Sequence, residues 1–335
     1  MNVKFRATAP GRVNLIGDHV DYMGGPVLPM AVQLSTTITG TRFGSEVSLT
    51  SDQESEPLQL QLPSAEPKDV SPVWGRYIAG IAQEMGATIG FSGTVSSTVP
   101  PGSGLSSSSA LSVAAALAFG SAGSIAELAV LSRAGEVRAT GVPCGIMDQL
   151  ASAGGVAGHA LLIDCASLAI DPVAVPPEAR IWVVPSGQQR RLGDSEYSQR
   201  RAACEAASEL IGPLPDASLE AIEELSDPIL RRRARHVRTE SERVRRAAEA
   251  LRSGELAEFG QLMIQSHRSL ADDFEVSTSV LDTLVNDLTS QPGVLGARLT
   301  GAGFGGCVVA LAQPGVELRG WLVTPSAGAD IELLA

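Results

Sequence analysis

A chain of 335 residues, 44% hydrophobic and 19% charged, is long enough for about two domains and a sizeable core. Its formal charge of −12 argues against non-specific nucleic-acid binding. No run of about 18 uninterrupted apolar residues marks a membrane span, and the N-terminus MNVKFRATAPGRV lacks the apolar stretch of a signal peptide. Cys144, Cys165, Cys204 and Cys307 are scattered with no CxxC pair, which argues against a zinc site and for reduced thiols in a cytoplasmic protein.

In APGRVNLIGDHVDYMGGPVLPMAV (9–32) the alternation of RVNLI predicts a half-buried strand, after which Gly17 frees the chain to turn. Asp18, His19 and Asp21 then emerge together. Carboxylates accept paired hydrogen bonds from adjacent hydroxyls, so this cluster suits a polyol; an ordinary acidic turn is the alternative. Alternation over 32–43 and 46–52 predicts two antiparallel strands joined near Gly44. Residues 58–72 alternate and then break into a Pro-rich loop, and 73–86 has apolar residues at helical spacing.

Residues 98–118 read TVPPGSGLSSSSALSVAAALA, with a strand end before them at 95–99 and helix propensity over 110–119. A strand, a glycine-serine loop and a helix N-terminus in succession favour an anion site, a phosphate above all, over a flexible tether. A further helix is predicted over 124–134. In TGVPCGIMDQLASAGG (140–155) a single carboxylate, Asp148, stands among Ile146, Met147 and Gln149. A helix cap is the ordinary position for such an aspartate. Partial burial beside a hydroxyl substrate would instead suit a proton acceptor, with Arg12 supplying the charge that keeps it ionised.

Residues 159–171 read as a strand, 171–180 as a domain boundary and IWVVPS as a buried strand. The rest is mostly helical over 195–260 and 277–290. Within it the Arg-rich segment 230–255 sets Glu242 four residues before Arg246 and Glu249 four after Arg245, which predicts a solvated, ion-paired face. GVLGARLTGAGFGGCVVALA (293–312) predicts strand, glycine turn and strand, with close backbone approach at the turn. It does not lead into a helix, so it does not read as a Rossmann site. The mixture is α+β in two domains, 1–178 and 179–335.

Taken together, GRVNLIGDHVDYMGGPVLPMA closely resembles the galactokinase signature. PPGSGLSSSSA resembles the phosphate loop, and LTGAGFGGC the third motif, of the GHMP kinases (galactokinase, homoserine, mevalonate and phosphomevalonate kinases). PCGIMDQ, WGRY, SEYSQRR and FGQLMIQSHRSLADDFEVS are similar to galactokinase-specific stretches, so the resemblance covers nearly the whole chain from residue 9. It implies a two-domain GHMP-kinase fold: an N-terminal domain with a mixed sheet and helices, a C-terminal domain of sheet plus helices, and an active site in the cleft between them. It further implies phosphorylation of galactose at C1 by ATP, with Mg2+. Arg12 and Asp148 match the catalytic pair, and Asp18, His19, Asp21, Gly145 and Tyr197 match sugar-binding positions. Gly102, Ser103, Gly104, Leu105, Ser106, Ser107 and Ser108 match the nucleotide loop, with Ser108 the candidate Mg2+ contact, and Trp74 lies where the family packs adenine. Sugar and ATP are the implied partners of a cytoplasmic monomer, with no nucleic acid or membrane.

The departures cluster near the sugar. The family usually has Glu at Asp18, Thr at Val20 and Asn at Met23, and commonly a His-containing run where Gln189, Arg190 and Arg191 stand. They leave open a kinase for an N-acetylhexosamine or another galactose-like sugar. A non-catalytic sensor of sugar and ATP is the other alternative, opposed by the intact SSSSA run and by the presence of Arg12 and Asp148.

Overall fold

The chain opens with a 12-residue strand, β1 (Val3–Asn14), whose Phe5, Ala7 and Ala9 point into the core. The expected half-buried RVNLI strand is corrected, since β1 ends at Asn14 and residues 12–16 are all buried beneath neighbouring segments. The structure, a computed structural model, describes residues 3–188 and 194–335, so Gln189, Arg190 and Arg191 lie outside the described residues. Past the first loop come β2 (Pro26–Val27), β3 (Pro29–Arg42), β4 (Glu46–Ser51) and β5 (Leu58–Gln61), then helix α1 (Gly75–Glu84) and β6 (Phe91–Ser97). Helices α2 (Ser107–Phe119), α3 (Ile125–Thr140) and α4 (Met147–Gly154) follow.

The predicted pairing of β3 with β4 is not observed. β6 lies between them, antiparallel to β3 and parallel to β4. The turn at Gly44 bonds across to Gly90 at the start of β6, through Phe43 N–H to Gly90 O and Gly90 N–H to Gly44 O, both 3.0 Å. Insertion of β6 brings Phe91 edge-on to Phe5, with ring centroids 5.6 Å apart, so the core gains an aromatic pair that a simple hairpin would not supply. Small side chains let α2 lie on β1 and β3 with nine of its residues buried. α1 and α3 approach closely where glycines face each other: a Cβ on Gly80 would overlap Gly135 O.

The expected strand over 159–171 is a hairpin, β7 (His159–Asp164) and β8 (Ala169–Ala174), with β7 also pairing β2. The buried apolar run becomes β9 (Arg180–Pro185). Then come α5 (Asp194–Ile211), α6 (Leu219–Glu223), α7 (Pro228–Arg252), α8 (Leu256–Asp272) and α9 (Ser279–Thr289). Strands β10 (Val294–Thr300), β11 (Cys307–Ala312), β12 (Trp321–Val323) and β13 (Asp330–Leu334) complete the chain. A four-stranded sheet runs in the order β10-β11-β9-β12 and the six-stranded sheet in the order β13-β1-β3-β6-β4-β5. The chain therefore crosses back: β13 pairs with β1, although the expected division at 178/179 falls between β8 and β9. One hydrophobic cluster joins Val13, Leu15 and Met30 to Val244 of α7, Phe259 of α8 and Val309 of β11, so the two halves share a core. No helix among the described residues is long and apolar enough to cross a membrane.

The Arg-rich helix α7 is ion-paired, but with other partners than its spacing predicts. Arg245 meets Asp216 at 3.0 Å and Arg246 meets Glu258 at 3.1 Å, while Glu242 takes Arg238 and Glu249 takes Arg252. Packing against neighbouring segments offered the arginines acids outside their own helix.

Candidate active site

Arg12 stands where β1 slips register against β3, between Pro10 and Arg12. The absence of a side chain at Gly11 makes this bulge possible, since a Cβ there would come 2.6 Å from Leu105 O. The serine loop packs onto the bulge. Arg12 N–H donates to Leu105 O at 3.0 Å and its Nη1 to Gly104 O at 2.7 Å. The rest of the guanidinium forms a bidentate pair with Asp148, Nε to Oδ1 and Nη2 to Oδ2, both 2.6 Å. Asp148 is in the first turn of α4, where an acid also suits the helix dipole.

Gly102 and Gly104 turn the serine loop with φ of 68° and 71°. Ser106 is left-handed too (φ 54°, ψ 57°), an uncommon conformation for a residue with a side chain. Its hydroxyl does not cap α2; it donates to Asp148 Oδ2 at 2.5 Å. The N-terminus of α2 therefore has no side-chain cap and keeps its capacity for an anion. Ser103 and Leu105 are buried beneath the loop and Ser107 is exposed. Ser108 and the following Ser109 turn to a carboxylate that sequence reasoning missed. Ser108 Oγ donates to Glu136 Oε1 at 2.6 Å and Ser109 Oγ to Oε2 at 3.0 Å, and Gln149 Nε2 donates to Oε2 at 2.7 Å. Burial raises the Glu136 carboxyl, and the nearby Asp148 charge adds to the rise against the bonds from Ser108, Ser109 and Gln149. Glu136 lies two residues past the end of the helix expected over 124–134, which continues to Thr140, and its partners lie on two other segments.

Asp21 opens a short 3-10 turn, Asp21–Met23, and faces the loop before α4. A Cβ on Gly145 would overlap Asp21 Oδ2, so only glycine admits the carboxylate there. Backbone N–H groups of Tyr22 and Met147 hold it. Burial first, and the charge of Asp148 second, push its pKa to about 6. Tyr197 of α5 completes the wall, its ring centroid 5.6 Å from His19 and 5.8 Å from Tyr22. Burial, then the Asp21 charge, raise its phenol well above the ordinary value.

Asp18 and His19 sit at the same wall, but their polar atoms are engaged inside the protein. Asp18 Oδ2 accepts from Arg298 Nη2 at 2.5 Å and Oδ1 from Gly301 N–H at 2.9 Å. His19, at φ 65°, donates from Nε2 to Ala302 O (3.3 Å) and accepts at Nδ1 from the Tyr22 hydroxyl (3.2 Å). Burial, then the neighbouring His236, hold its pKa at about 3, so the ring is neutral. Trp74 is set apart from this group. The residue is 9% exposed, packed in the core with Leu58 and Ile78, and its indole N–H donates to Glu56 O at 3.2 Å.

These groups come from both halves of the chain: a glycine-rich loop with an uncapped helix N-terminus, and a carboxylate-aromatic wall to which Tyr197 of α5 contributes. Family models match in the same places. The GHMP kinases N terminal domain matches residues 75–155 and the GHMP kinases C terminal region residues 247–318. Fold and site together define a GHMP-type small-molecule kinase. The galactokinase galactose-binding signature matches residues 2–42. Galactokinase of Bos taurus is 45% identical over 331 residues, 93% of this chain and 84% of that protein. Galactokinase of Chloroflexus aurantiacus is 44% identical over 324 residues, 91% and 83% of the two chains. The crystal structure of Lactococcus lactis galactokinase complexed with galactose superposes with a TM-score of 0.88 at 31% identity, covering 98% of this chain and 95% of that one. The chain belongs to the galactokinase family: it is a sugar kinase, a transferase acting on an alcohol group.

Proposed function

We propose that this chain transfers the γ-phosphoryl group of ATP to the C1 hydroxyl of galactose, giving galactose 1-phosphate and ADP. The bonding of the Asp148 carboxylate carries the reading. A carboxylate has about four lone-pair sites. Arg12 takes one on each oxygen and Ser106 a second on Oδ2, which leaves the free site on Oδ1. There the C1 hydroxyl would donate. As the C1 oxygen bonds to the γ-phosphorus and the bond to the β,γ-bridging oxygen breaks, the proton passes to Oδ1 and ADP departs. The transition state is loose, so the proton leaves late and a carboxylate already bonded to a guanidinium is a sufficient acceptor. Arg12 also offers positive charge to the oxygens of the phosphoryl group in flight.

Asp21, Gly145 and Tyr197 would form the sugar wall, with Asp18 and His19 shaping it from behind. The likeness to Lactococcus lactis galactokinase, whose structure holds galactose, supports that sugar. The loop Gly102–Ser108 and the uncapped start of α2 would take the ATP phosphates, with backbone amides and the helix dipole in place of a Walker lysine. With 9% of its surface exposed, Trp74 could meet adenine only along an edge. Mg2+ would be held by Ser108 and Glu136, since a hydroxyl and a carboxylate are hard oxygen donors. A cation beside Glu136 also relieves the repulsion from Asp148. No group of three or more His, Cys, Asp or Glu side chains converges among the described residues, so phosphate oxygens and water would complete its shell. When bound, Mg2+ neutralises charge on the β- and γ-phosphates. Phosphorus NMR of a mixture of enzyme, Mg2+-ATP and galactose tests the reading. Growth of an anomeric sugar phosphate in step with ADP supports it, and ADP without that product, or phosphate at another hydroxyl, overturns it.

A further inference from the structure

The loop that carries Asp18, His19 and Asp21 rests on buried polar residues that take no part in the chemistry above. Helix α7 presents His236, Glu240 and Val244 to it at four-residue intervals, one face of the helix. Glu240 Oε1 accepts from Gly17 N–H at 2.9 Å and from Ser266 Oγ of α8 at 2.5 Å, and Oε2 accepts from Arg243 Nε at 2.8 Å. His236 donates from Nε2 to Asp18 O at 3.1 Å and accepts at Nδ1 from Ser269 Oγ of α8 at 2.9 Å. Gly17, at φ 103°, lies so close to α7 that a Cβ would come 2.9 Å from Val244 Cγ2. Across the loop, Arg298 and Gly301 hold the Asp18 carboxylate. Glu240, His236 and Arg298 are all fully buried.

A buried ion pair such as Glu240–Arg243 is weak evidence for stability, because desolvation cancels much of the attraction and an apolar filling often serves as well. What an apolar residue could not do is accept the Gly17 N–H. This amide lies at the turn from β1 into the sugar loop and would otherwise be buried without a partner. The Glu240 bond therefore fixes where the loop leaves the strand, and His236 fixes the next carbonyl. Beyond them, Met23 N–H and Gly25 N–H both return to Val20 O, so the turn bearing Asp21 moves as a unit with residues 17–20.

We propose that Glu240 and His236 are positioning residues for sugar recognition: from α7 they set the placement of the 17–25 loop and hence of Asp21 in the cleft. The proposal rests on the reading of this cleft as a sugar site. Displacement of a positioned group by about 1 Å can cost roughly 10²-fold. Glu240→Ala is accordingly expected to raise the sugar KM about 10- to 100-fold, with the ATP KM within about 2-fold of wild type and kcat less affected than the sugar KM. Glu240→Gln keeps an Oε1 acceptor for Gly17 while losing the ion pair, and should recover most of the sugar KM.

Steady-state kinetics with each substrate varied in turn, together with equilibrium sugar binding, provide the test. Should Glu240→Ala not fold, Ser266→Ala carries it. That variant removes one bond to Oε1, leaves the Arg243 pair intact, and should raise the sugar KM at least about 3-fold at unchanged ATP KM. A folded Glu240→Ala with wild-type sugar KM overturns the proposal, as does a variant whose sugar and ATP KM rise by the same factor, or a Gln variant no better than Ala. Turnover of galactose by the wild-type chain tests the proposed function separately; the variant-to-wild-type ratio, taken with whichever sugar the wild type accepts, tests this assignment.

Discussion

Replacing Asp21 by asparagine should stabilise the fold at alkaline pH while weakening the proposed sugar site. Asp21 is held at about 6 against an ordinary 3.8, by burial first and Asp148 second. A carboxyl whose folded pKa lies above its unfolded value contributes stability that is fully present below about 3.8 and is lost as pH rises through about 6. At pH 8 the ionised group therefore costs up to about 3 kcal/mol, from a shift of about two units at 1.36 kcal/mol each. The amide of the Asp21→Asn variant would carry no charge at any pH. With an unfolding entropy of roughly 2.1 cal/mol/K per residue, the gain over this chain corresponds to about 4 °C in Tm at pH 8. At pH 5 the wild-type group is largely protonated in the fold, and the gain should fall to about half. The amide also forfeits charge-assisted hydrogen bonds to sugar hydroxyls, worth about 1.5–3 kcal/mol, or roughly 10- to 100-fold in sugar affinity. Thermal melts of both proteins at pH 5 and pH 8, with sugar titrations at pH 8, read all three effects. An asparagine variant that melts with or below the wild type at pH 8, or gains as much at pH 5, refutes the assigned burial and charge coupling.

Asp148→Asn should lower kcat by about 10²-fold or more while sugar binding stays within about 3-fold, because the amide fills the same space but cannot take the proton; pre-steady-state turnover and calorimetric binding separate the two effects. Gly145→Ala should abolish measurable sugar binding with little change in ATP binding, since its Cβ would occupy the place of Asp21 Oδ2; separate titrations with each ligand decide it. Ser108→Ala and Glu136→Gln should each raise the Mg2+ concentration that gives half-maximal velocity and lower kcat, and unchanged Mg2+ titrations would remove both residues from the metal site.

Local chemistry was the part of this protein most legible in its sequence. The glycine turns of the serine loop and the helix that follows it were legible from its own residues, and the structure adds an unexpected left-handed Ser106 whose hydroxyl serves Asp148. Arg12 and Asp148 could be paired in advance only as charges; their bidentate geometry depends on the Gly11 bulge and the start of α4 meeting across 136 residues. What depended on long-range pairing was not legible. Alternation marks strands but not neighbours, so the insertion of β6 between β3 and β4 and the return of β13 to β1 left no local trace. Helical spacing likewise paired Arg245 and Arg246 with acids on their own helix, whereas tertiary packing brought Asp216 and Glu258 within reach. Glu136, Arg298 and Glu240 escaped notice for the same reason, since each draws its meaning from partners on other segments.

The most direct test of the account is the ratio of kcat/KM for galactose to that for glucose, measured by ADP release with the purified enzyme. These sugars differ only in the orientation of the C4 hydroxyl, and a site whose buried polar groups are matched to one epimer leaves them unpaired with the other. Such mismatches reach factors of about 10⁴ where the site is built around the group. With Asp21 wedged against Gly145 and Tyr197 alongside, the wall leaves little freedom to adapt. A ratio of about 10³ or more in favour of galactose is predicted; a ratio near one, or a preference for glucose, would contradict the assignment of this cleft to galactose.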